Sequence, residues 1–460
     1  MLTPNPRVAR PVELAGRQVL VVGAGLSGVA AAWLAAIGGA QVALVDNRPY
    51  AQLSEEAKAL TGMGVLVLGE TESLGAAPSP DLAVVSPGVK PTAPIVEELR
   101  GRGVEVLGEI ELAWQFCPAK VAAVTGTNGK GTTCRLMAAM IEAAGLPVAL
   151  AGNIGRPLSA CLFELTPEHA VVLEVSSFQL MTTRAFAPQV AAVLNLTPDH
   201  LDWHRDLEEY RWAKEQILAR QWPGDLAVLV MDDPGAAAME EAVAARLARV
   251  SVVQDAEVRW REGSIVVTLP GRKARKIGAA AIEEWGPYHK LDAMVAAAGA
   301  IEMGADEAAI EQALREYTNP EHLMSEVAVA GGVRYVDDSK ATNVAAAVAD
   351  LEHLTRQGPV VVISGGKDKG TDLTAWAEAM DRKAKAVVLI GETAGKLAGL
   401  MKRKAERVGG MVEAVRMATE MAEAGDMVAM VPAASSFDMF AGQAERGEKF
   451  AEAARGMESQ

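Results

Sequence analysis

Short apolar runs, each closed by a glycine-rich or polar loop, recur along most of the chain. Gln18–Val22, Gln41–Val45, 81–85, 121–124, Ala170–Glu174 and 190–194 are rich in β-branched residues and too short for helices. They predict strands buried on both faces. The last third resumes the pattern at 333–336, 360–363, Ala386–Ile390 and 427–431. Helix-forming stretches lie between the runs at 29–37, 134–144, 207–220, 291–302 and 306–317. Regular alternation of this kind predicts α/β architecture with doubly wound, largely parallel sheets, whose ligands bind at the strands' carboxyl ends. Residues 225–280 depart from it, reading as further strand with a hairpin turning at Glu262-Gly263.

Two glycine turns carry the first chemistry. Thr125-Gly126-Thr127-Asn128-Gly129-Lys130-Gly131-Thr132-Thr133 joins the run 121–124 to the helix predicted behind it. Backbone N–H groups, a helix N-terminus and the Lys130 ammonium then converge, which suits a nucleotide polyphosphate. The general P-loop places four residues between its first glycine and the Gly-Lys pair. Here only Thr127 and Asn128 intervene, so a plain strand-to-helix turn with a surface lysine stays open. The second turn, Gly23-Ala24-Gly25-Leu26-Ser27-Gly28, is followed about twenty residues on by Asp46-Asn47-Arg48. That fingerprint fits NAD, but equally any ligand with a diphosphate.

Other polar groups stand at strand ends. Glu174 closes an apolar run, a costly place for a carboxylate without a cation. Asp199, His200, Asp202 and His204 cluster after 190–194, and a capped helix start with incidental histidines would read the same way. Lys214 falls on the helix that follows, where an ordinary exposed lysine is the competing reading.

Length and composition narrow the field. A chain of 460 residues predicts two or three domains. A net charge of −15 argues against general nucleic-acid binding, and the basic run 272–276 reads as a solvated hairpin edge. Three scattered cysteines lack metal-ligand spacing, which predicts a reducing compartment. No apolar run of about 18 residues predicts a membrane span. A cytoplasmic monomer is expected.

Taken together, the motifs resemble the bacterial Mur ligase family from about Gln18 to Phe450. The resemblance rests on Thr-Gly-Thr-Asn-Gly-Lys at 125–130, Leu-Glu-Val-Ser-Ser-Phe-Gln-Leu at 173–180 and Asn-Leu-Thr-Pro-Asp-His-Leu-Asp at 195–202. Asp-Ser-Lys-Ala-Thr-Asn at 338–343 and Gly-Gly-Lys-Asp-Lys-Gly at 365–370 point to the glutamate-adding member. The resemblance implies three α/β domains: a Rossmann-like UDP-sugar domain at 1–108, a P-loop ATPase-like ATP and Mg2+ domain at 109–319, and a Rossmann-like amino-acid domain at 320–460. It implies ATP-dependent addition of D-glutamate to UDP-N-acetylmuramoyl-L-alanine through an acyl phosphate.

The resemblance also implies roles. Lys130, Glu174, His200 and Lys214 match catalytic positions, and Gly126, Thr127, Asn128, Gly129, Thr132, Thr133, His289 and Asp338 match the ATP site. Leu26, Ser27, Asn47, Arg48, Gly88, Asn153, Ser176 and Gln179 match the UDP-sugar site, while Thr342, Lys369 and Ser436 match glutamate contacts. Magnesium would be held by Glu174, His200 and Lys214 as a carbamate, with Thr132 as a further candidate.

Five positions depart from the family pattern. Gly131 stands where a hydroxyl usually follows the loop lysine, and Lys290 and Ala293 replace two asparagines near adenine. Leu323 replaces an arginine, and Gln443 an aromatic beside glutamate. Three of them, Gly131, Lys290 and Leu323, surround the nucleotide, which leaves a poorly active sugar-nucleotide-binding protein as the rival, beside an L-glutamate-adding ligase and an NAD oxidoreductase.

Overall fold

The computed structural model describes residues 2–70, 79–201 and 203–459, without the side chains of Glu458 and Ser459. Asp202 therefore lies outside the described residues. The chain forms two compact units, 1–316 and 317–460. Among the described residues, three sheets account for the strands, two in the first unit and one in the second.

The first sheet holds β1 (Gln18–Val22), β2 (Gln41–Val45), β3 (Leu66–Leu68), β4 (Leu82–Val85) and β5 (Glu105–Gly108). Its order is β3-β2-β1-β4-β5, parallel throughout. The chain winds outward from β1 to β3 and then crosses to β4, so a switch point opens between β1 and β4.

The second sheet is larger. It contains β6 (Lys120–Thr125), β7 (Val148–Gly152), β8 (Ala170–Glu174), β9 (Val190–Val193), β10 (Leu226–Val230) and β11 (Arg246–Ser251). It continues through β12 (Val258–Arg261), β13 (Ser264–Val267) and β14 (Arg275–Gly278). In the order β14-β13-β12-β11-β10-β9-β6-β8-β7, β6 lies between β8 and β9, so Glu174 and Asn195 both end beside the glycine loop. The expected hairpin joins β12 to β13, with Glu262 and Gly263 both at positive φ as a two-residue turn requires. The basic run ends in the edge strand β14; Arg272, before the strand, pairs with Glu302, and Arg275, which opens it, with Glu307.

Helix Pro287–Met303 is apolar almost all round and buried from Leu291 to Ile301, as such a helix must be. It packs on helix Lys130–Ala143, where Gly299 lets the Met137 side chain come close. Helix Lys130–Ala143 starts four residues earlier than its sequence pattern predicts, because left-handed Gly129 caps it directly. One apolar cluster runs from Val19 and Leu34 through Trp114 and Val121 to Leu229, joining the cores of the first two sheets.

The second unit contains β15 (Ser325–Ala330), β16 (Val333–Asp337), β17 (Val360–Gly365), β18 (Ala386–Ile390), β19 (Glu406–Arg407) and β20 (Met427–Met430). The order is β15-β16-β20-β17-β18-β19, with only β15 antiparallel. Loops after β16, β17 and β20 consequently share one edge. Among the described residues, no helix is long and apolar enough to cross a membrane.

Candidate active site

The loop after β6 is held from three sides. Asn195, at the end of β9, accepts the N–H groups of Thr127 and Asn128 at 2.9 and 2.8 Å and donates to the Asn128 carbonyl at 3.1 Å. The Thr127 hydroxyl lies 3.1 Å from both the Thr197 carbonyl and the Tyr210 hydroxyl. From the long buried helix, Asp292 reaches beneath the loop and accepts the Thr133 hydroxyl at 3.2 Å. A Cβ at Gly129, where φ is +83°, would lie 2.3 Å from that carboxylate, so only glycine fits. Asn195 and Asp292 were not singled out as site residues by sequence. Asn195 sits in the resemblance motif, but Asp292 is a buried acid in a largely apolar helix with no local signal.

Two lysines converge on one carbonyl. Lys130 Nζ donates to the Gly126 and Thr127 carbonyls at 2.8 Å each, and Lys214 Nζ donates to the same Gly126 oxygen at 2.7 Å. Both are buried. Burial lowers the affinity of Lys130 for its proton, opposed by Glu174, Asp199 and Asp292. Burial drives the Lys214 amine well below its ordinary range, and the charge on Lys130 adds to this.

Glu174 faces the same place. Its Oε1 accepts from Asn153 Nδ2 at 2.7 Å, while Oε2 is buried and has no hydrogen-bond partner among the described residues. A Cβ on Gly131 would stand 3.3 Å from that oxygen and 3.1 Å from Arg135 Nη1. Thr132 is buried in the first turn of the helix. His200 adopts a left-handed backbone, lies 3.7 Å from an Asp199 oxygen and packs its ring edge-on against Phe178. Among the described residues, no three His, Cys, Asp or Glu side chains gather as a metal cluster. His289 lies beside Trp285, and Lys290 places its ammonium 4.3 Å over the Trp260 ring, a cation–π contact.

The turn after β1 borders a cavity of about 860 Å³ lined by Leu26, Ser27, Asn47, Arg48, Gly88 and Lys90. Gly28 is required there, because a Cβ would lie 1.7 Å from the Gly23 carbonyl. Asp46, the acid of the dinucleotide fingerprint, is already engaged. It holds Arg48 through two bonds of 2.8 and 2.9 Å and accepts the Ala24 N–H at 2.7 Å. Burial would raise its pKa, but the Arg48 guanidinium and the N–H groups of Arg48 and Ala24 bring it down to about 2. Nearby, Ser176 and Gln179 form a reciprocal capping box, which fixes the segment after β8.

In the second unit the three edge loops are laced together. Ala433 donates to the Ala341 carbonyl at 2.9 Å and Lys367 to the Ser435 carbonyl at 2.8 Å. This brings Thr342, Lys369 and Ser436 to one sheet edge, with Ser436 buried and Lys369 exposed. Fully buried Arg446 ties the first loop to the third, donating to the Ser339 and Ala434 carbonyls at 2.8 and 3.0 Å. Asp338 is wholly buried, whereas Lys340 reaches back to the Glu321 carbonyl at 2.7 Å. Arg446 was not foreseen, since it lies in a helix whose other charges face solvent.

Comparison with known proteins finds two family matches along the chain. Residues 124–320 match the Mur ligase middle domain, and residues 321–434 match the Mur ligase glutamate ligase domain. The chain is 39% identical to the UDP-N-acetylmuramoylalanine--D-glutamate ligase of Pelotomaculum thermopropionicum, covering 95% of this chain and 97% of that one. It is 40% identical to the protein of the same name in Frankia casuarinae, covering 97% and 96%. Among solved structures it resembles the UDP-N-acetylmuramate-alanine ligase MurC of Thermotoga maritima, with a TM-score of 0.60 at 18% identity, covering 96% and 100%.

Proposed function

Because the chain belongs to the Mur ligase family, we propose that it joins D-glutamate to UDP-N-acetylmuramoylalanine, using ATP, in peptidoglycan precursor synthesis. The observation that carries this reading is the meeting of Lys130 and Lys214 on the Gly126 carbonyl, beside the unpartnered oxygen of Glu174. A carboxylate does not condense with an amine in water, because its oxygen is a poor leaving group. The carboxylate therefore attacks the γ-phosphorus of ATP, the bond to the β,γ-bridging oxygen breaks, and ADP leaves with that electron pair. The glutamate nitrogen then attacks the acyl carbon and loses a proton, while the C–O bond to phosphate breaks. Both steps gather anions, so cations and N–H donors dominate the site.

In this reading Gly126–Lys130 hold the phosphates, and Lys130 exchanges two backbone carbonyls for phosphate oxygens. Thr132, Thr133, His289 and Asp338 complete the nucleotide site. The cavity residues Leu26, Ser27, Asn47, Arg48 and Gly88, with Asn153, Ser176 and Gln179, take the sugar nucleotide, and Thr342, Lys369 and Ser436 take glutamate. We divide the chain accordingly at 1–108, 109–319 and 320–460. The residues fit a magnesium ion: Glu174 offers a buried free oxygen, and burial favours the neutral Lys214 amine that adds CO2. Glu174, His200 and carbamoylated Lys214 would hold it, with Thr132 in reserve. When bound, magnesium supplies positive charge against the phosphate oxygens. The same reading takes the protein as a cytoplasmic monomer, which sedimentation checks.

The test is phosphate release from ATP with UDP-N-acetylmuramoyl-L-alanine and D-glutamate, L-glutamate or neither. Release that depends on D-glutamate is expected. Dependence on L-glutamate would keep the mechanism and change the product. Silence in every mixture, with the sugar nucleotide still bound, would leave a binding protein instead.

A further inference from the structure

The helix behind the glycine loop, Lys130–Ala143, carries a cation that the reaction above leaves unused. Arg135 stands one turn after Gly131, on the same face of that helix. Helical side chains lean toward the N-terminus, so Arg135 reaches back over the bare glycine. Its Nη1 donates to the Gly131 carbonyl at 3.3 Å. That long contact is the only hydrogen bond of Arg135 among the described residues, and no carboxylate there forms an ion pair with it.

Gly131 defines the place that the guanidinium reaches. A Cβ there would stand 3.1 Å from Arg135 Nη1 and 3.3 Å from Glu174 Oε2, so both groups border one small volume beside the first turn. Glu174 is only 3% exposed, and its Oε2 has no hydrogen-bond partner among the described residues. The first turn of the helix holds no acidic residue, and its N-terminal partial charge is positive. A guanidinium beside it is repelled by that charge. Such a group is a poor structural prop, but it suits a place where a polyphosphate supplies the countercharge. The other charges of the loop are committed elsewhere: Lys130 to the Gly126 and Thr127 carbonyls, Lys214 to Gly126, and Asp292 to Thr133.

We propose that Arg135 is a further phosphate-binding residue, whose guanidinium exchanges the Gly131 carbonyl for the terminal phosphate of ATP on the side of the loop that Glu174 closes. The proposal rests on the reading of 126–133 as the ATP site. The backbone of Gly126–Lys130 encloses the inner phosphates, and a metal held at Glu174 bridges the outer two, so a donor beside Glu174 meets the outer end of the chain. The planar fork offers two parallel N–H donors to one phosphate. When the substrate carboxylate oxygen replaces the bridging oxygen on that phosphorus, the phosphate keeps its negative charge. The same fork therefore holds it before and after transfer.

Calorimetry of ATP and of ADP, each with magnesium, on wild type and Arg135→Met tests this. ATP should bind about tenfold more weakly to the variant, and ADP less than about twofold more weakly. Phosphate release should fall about 30-fold, with KM for D-glutamate within about twofold. Arg135→Lys should bring ATP binding back to within about threefold of wild type, since it restores the charge without the fork. Melting of the unliganded variant should stay within about 2 °C of wild type. Equal weakening of ATP and ADP, or a large drop in unliganded stability, would make Arg135 a prop of the loop and overturn the proposal. Weaker binding of UDP-N-acetylmuramoyl-L-alanine with ATP binding unchanged would assign Arg135 to the sugar nucleotide and overturn it as well. Should Arg135→Met not fold, Arg135→Gln, which keeps a donor for the Gly131 carbonyl without the charge, takes its place. A wild-type chain that binds ATP but ignores D-glutamate would refute the functional reading alone, and the comparison of ATP with ADP would still judge Arg135.

Discussion

The glycine turns after β1 and β6 both join a buried parallel strand to a helix, yet one borders an open cavity and the other is folded onto itself. After β1, Asp46 and Arg48 satisfy one another, Asp46 binds the Ala24 N–H, and about 860 Å³ stands open beside Leu26 and Gly88. After β6, Asn195, Asp292 and Tyr210 close around the loop and two lysines occupy its carbonyls. The difference teaches that a glycine turn specifies only a place where backbone approaches a ligand. What the place selects depends on the charges brought to it. The first crevice compensates its own charge internally, whereas the second concentrates cations that a polyphosphate would recruit.

The largest expected effect breaks the second turn alone. Lys130→Ala should lower phosphate release on the order of 10³-fold while sugar-nucleotide binding, followed by calorimetry, stays nearly intact. Loss of both would mean that the two turns are not separate sites. Gly28→Ala does the converse. Its Cβ would meet the Gly23 carbonyl at 1.7 Å, so the first sheet should lose about 3 kcal/mol and the sugar nucleotide should no longer bind.

A smaller change sharpens the comparison through pH. Asp46 is held at about 2 against an ordinary 3.8, so its contribution is present above 3.8 and lost as pH falls through about 2. Arg48→Ala should move acid unfolding of the first unit to higher pH and weaken the sugar nucleotide roughly threefold, with little effect on ATP. Arg48 is about half exposed, so its effect on stability at neutral pH should be slight. Smallest is Gly131→Ser. The new Cβ lies 3.3 Å from Glu174 Oε2 and 3.1 Å from Arg135, so these side chains give slightly, and turnover should stay within about twofold. A large loss would show that the bare glycine is needed to admit the metal.

Much of the fold was legible. Strands at 18–22, 41–45, 170–174 and 386–390 follow from apolar runs that only a doubly covered parallel sheet accommodates. The hairpin at Glu262-Gly263 follows from its turn residues. The helix predicted at 207–220 ends at Glu215, with turns beyond, because tertiary packing overrides a favourable composition. The helix Glu109–Trp114 and strand β7 had no clear local signal.

The sequence by itself determined the alternation of strand and helix, the glycine turns and the polar residues that close each strand, since these depend on interactions within a few residues. Only the tertiary structure decided which of those ends meet. Strand order places Glu174 and Asn195 on either side of the loop after β6, and it brings Asp292 to Thr133 from 159 residues away. It likewise sets Arg446 against Ser339, 107 residues apart. A buried polar residue must find its partner, but local periodicity does not reveal where along the chain that partner lies.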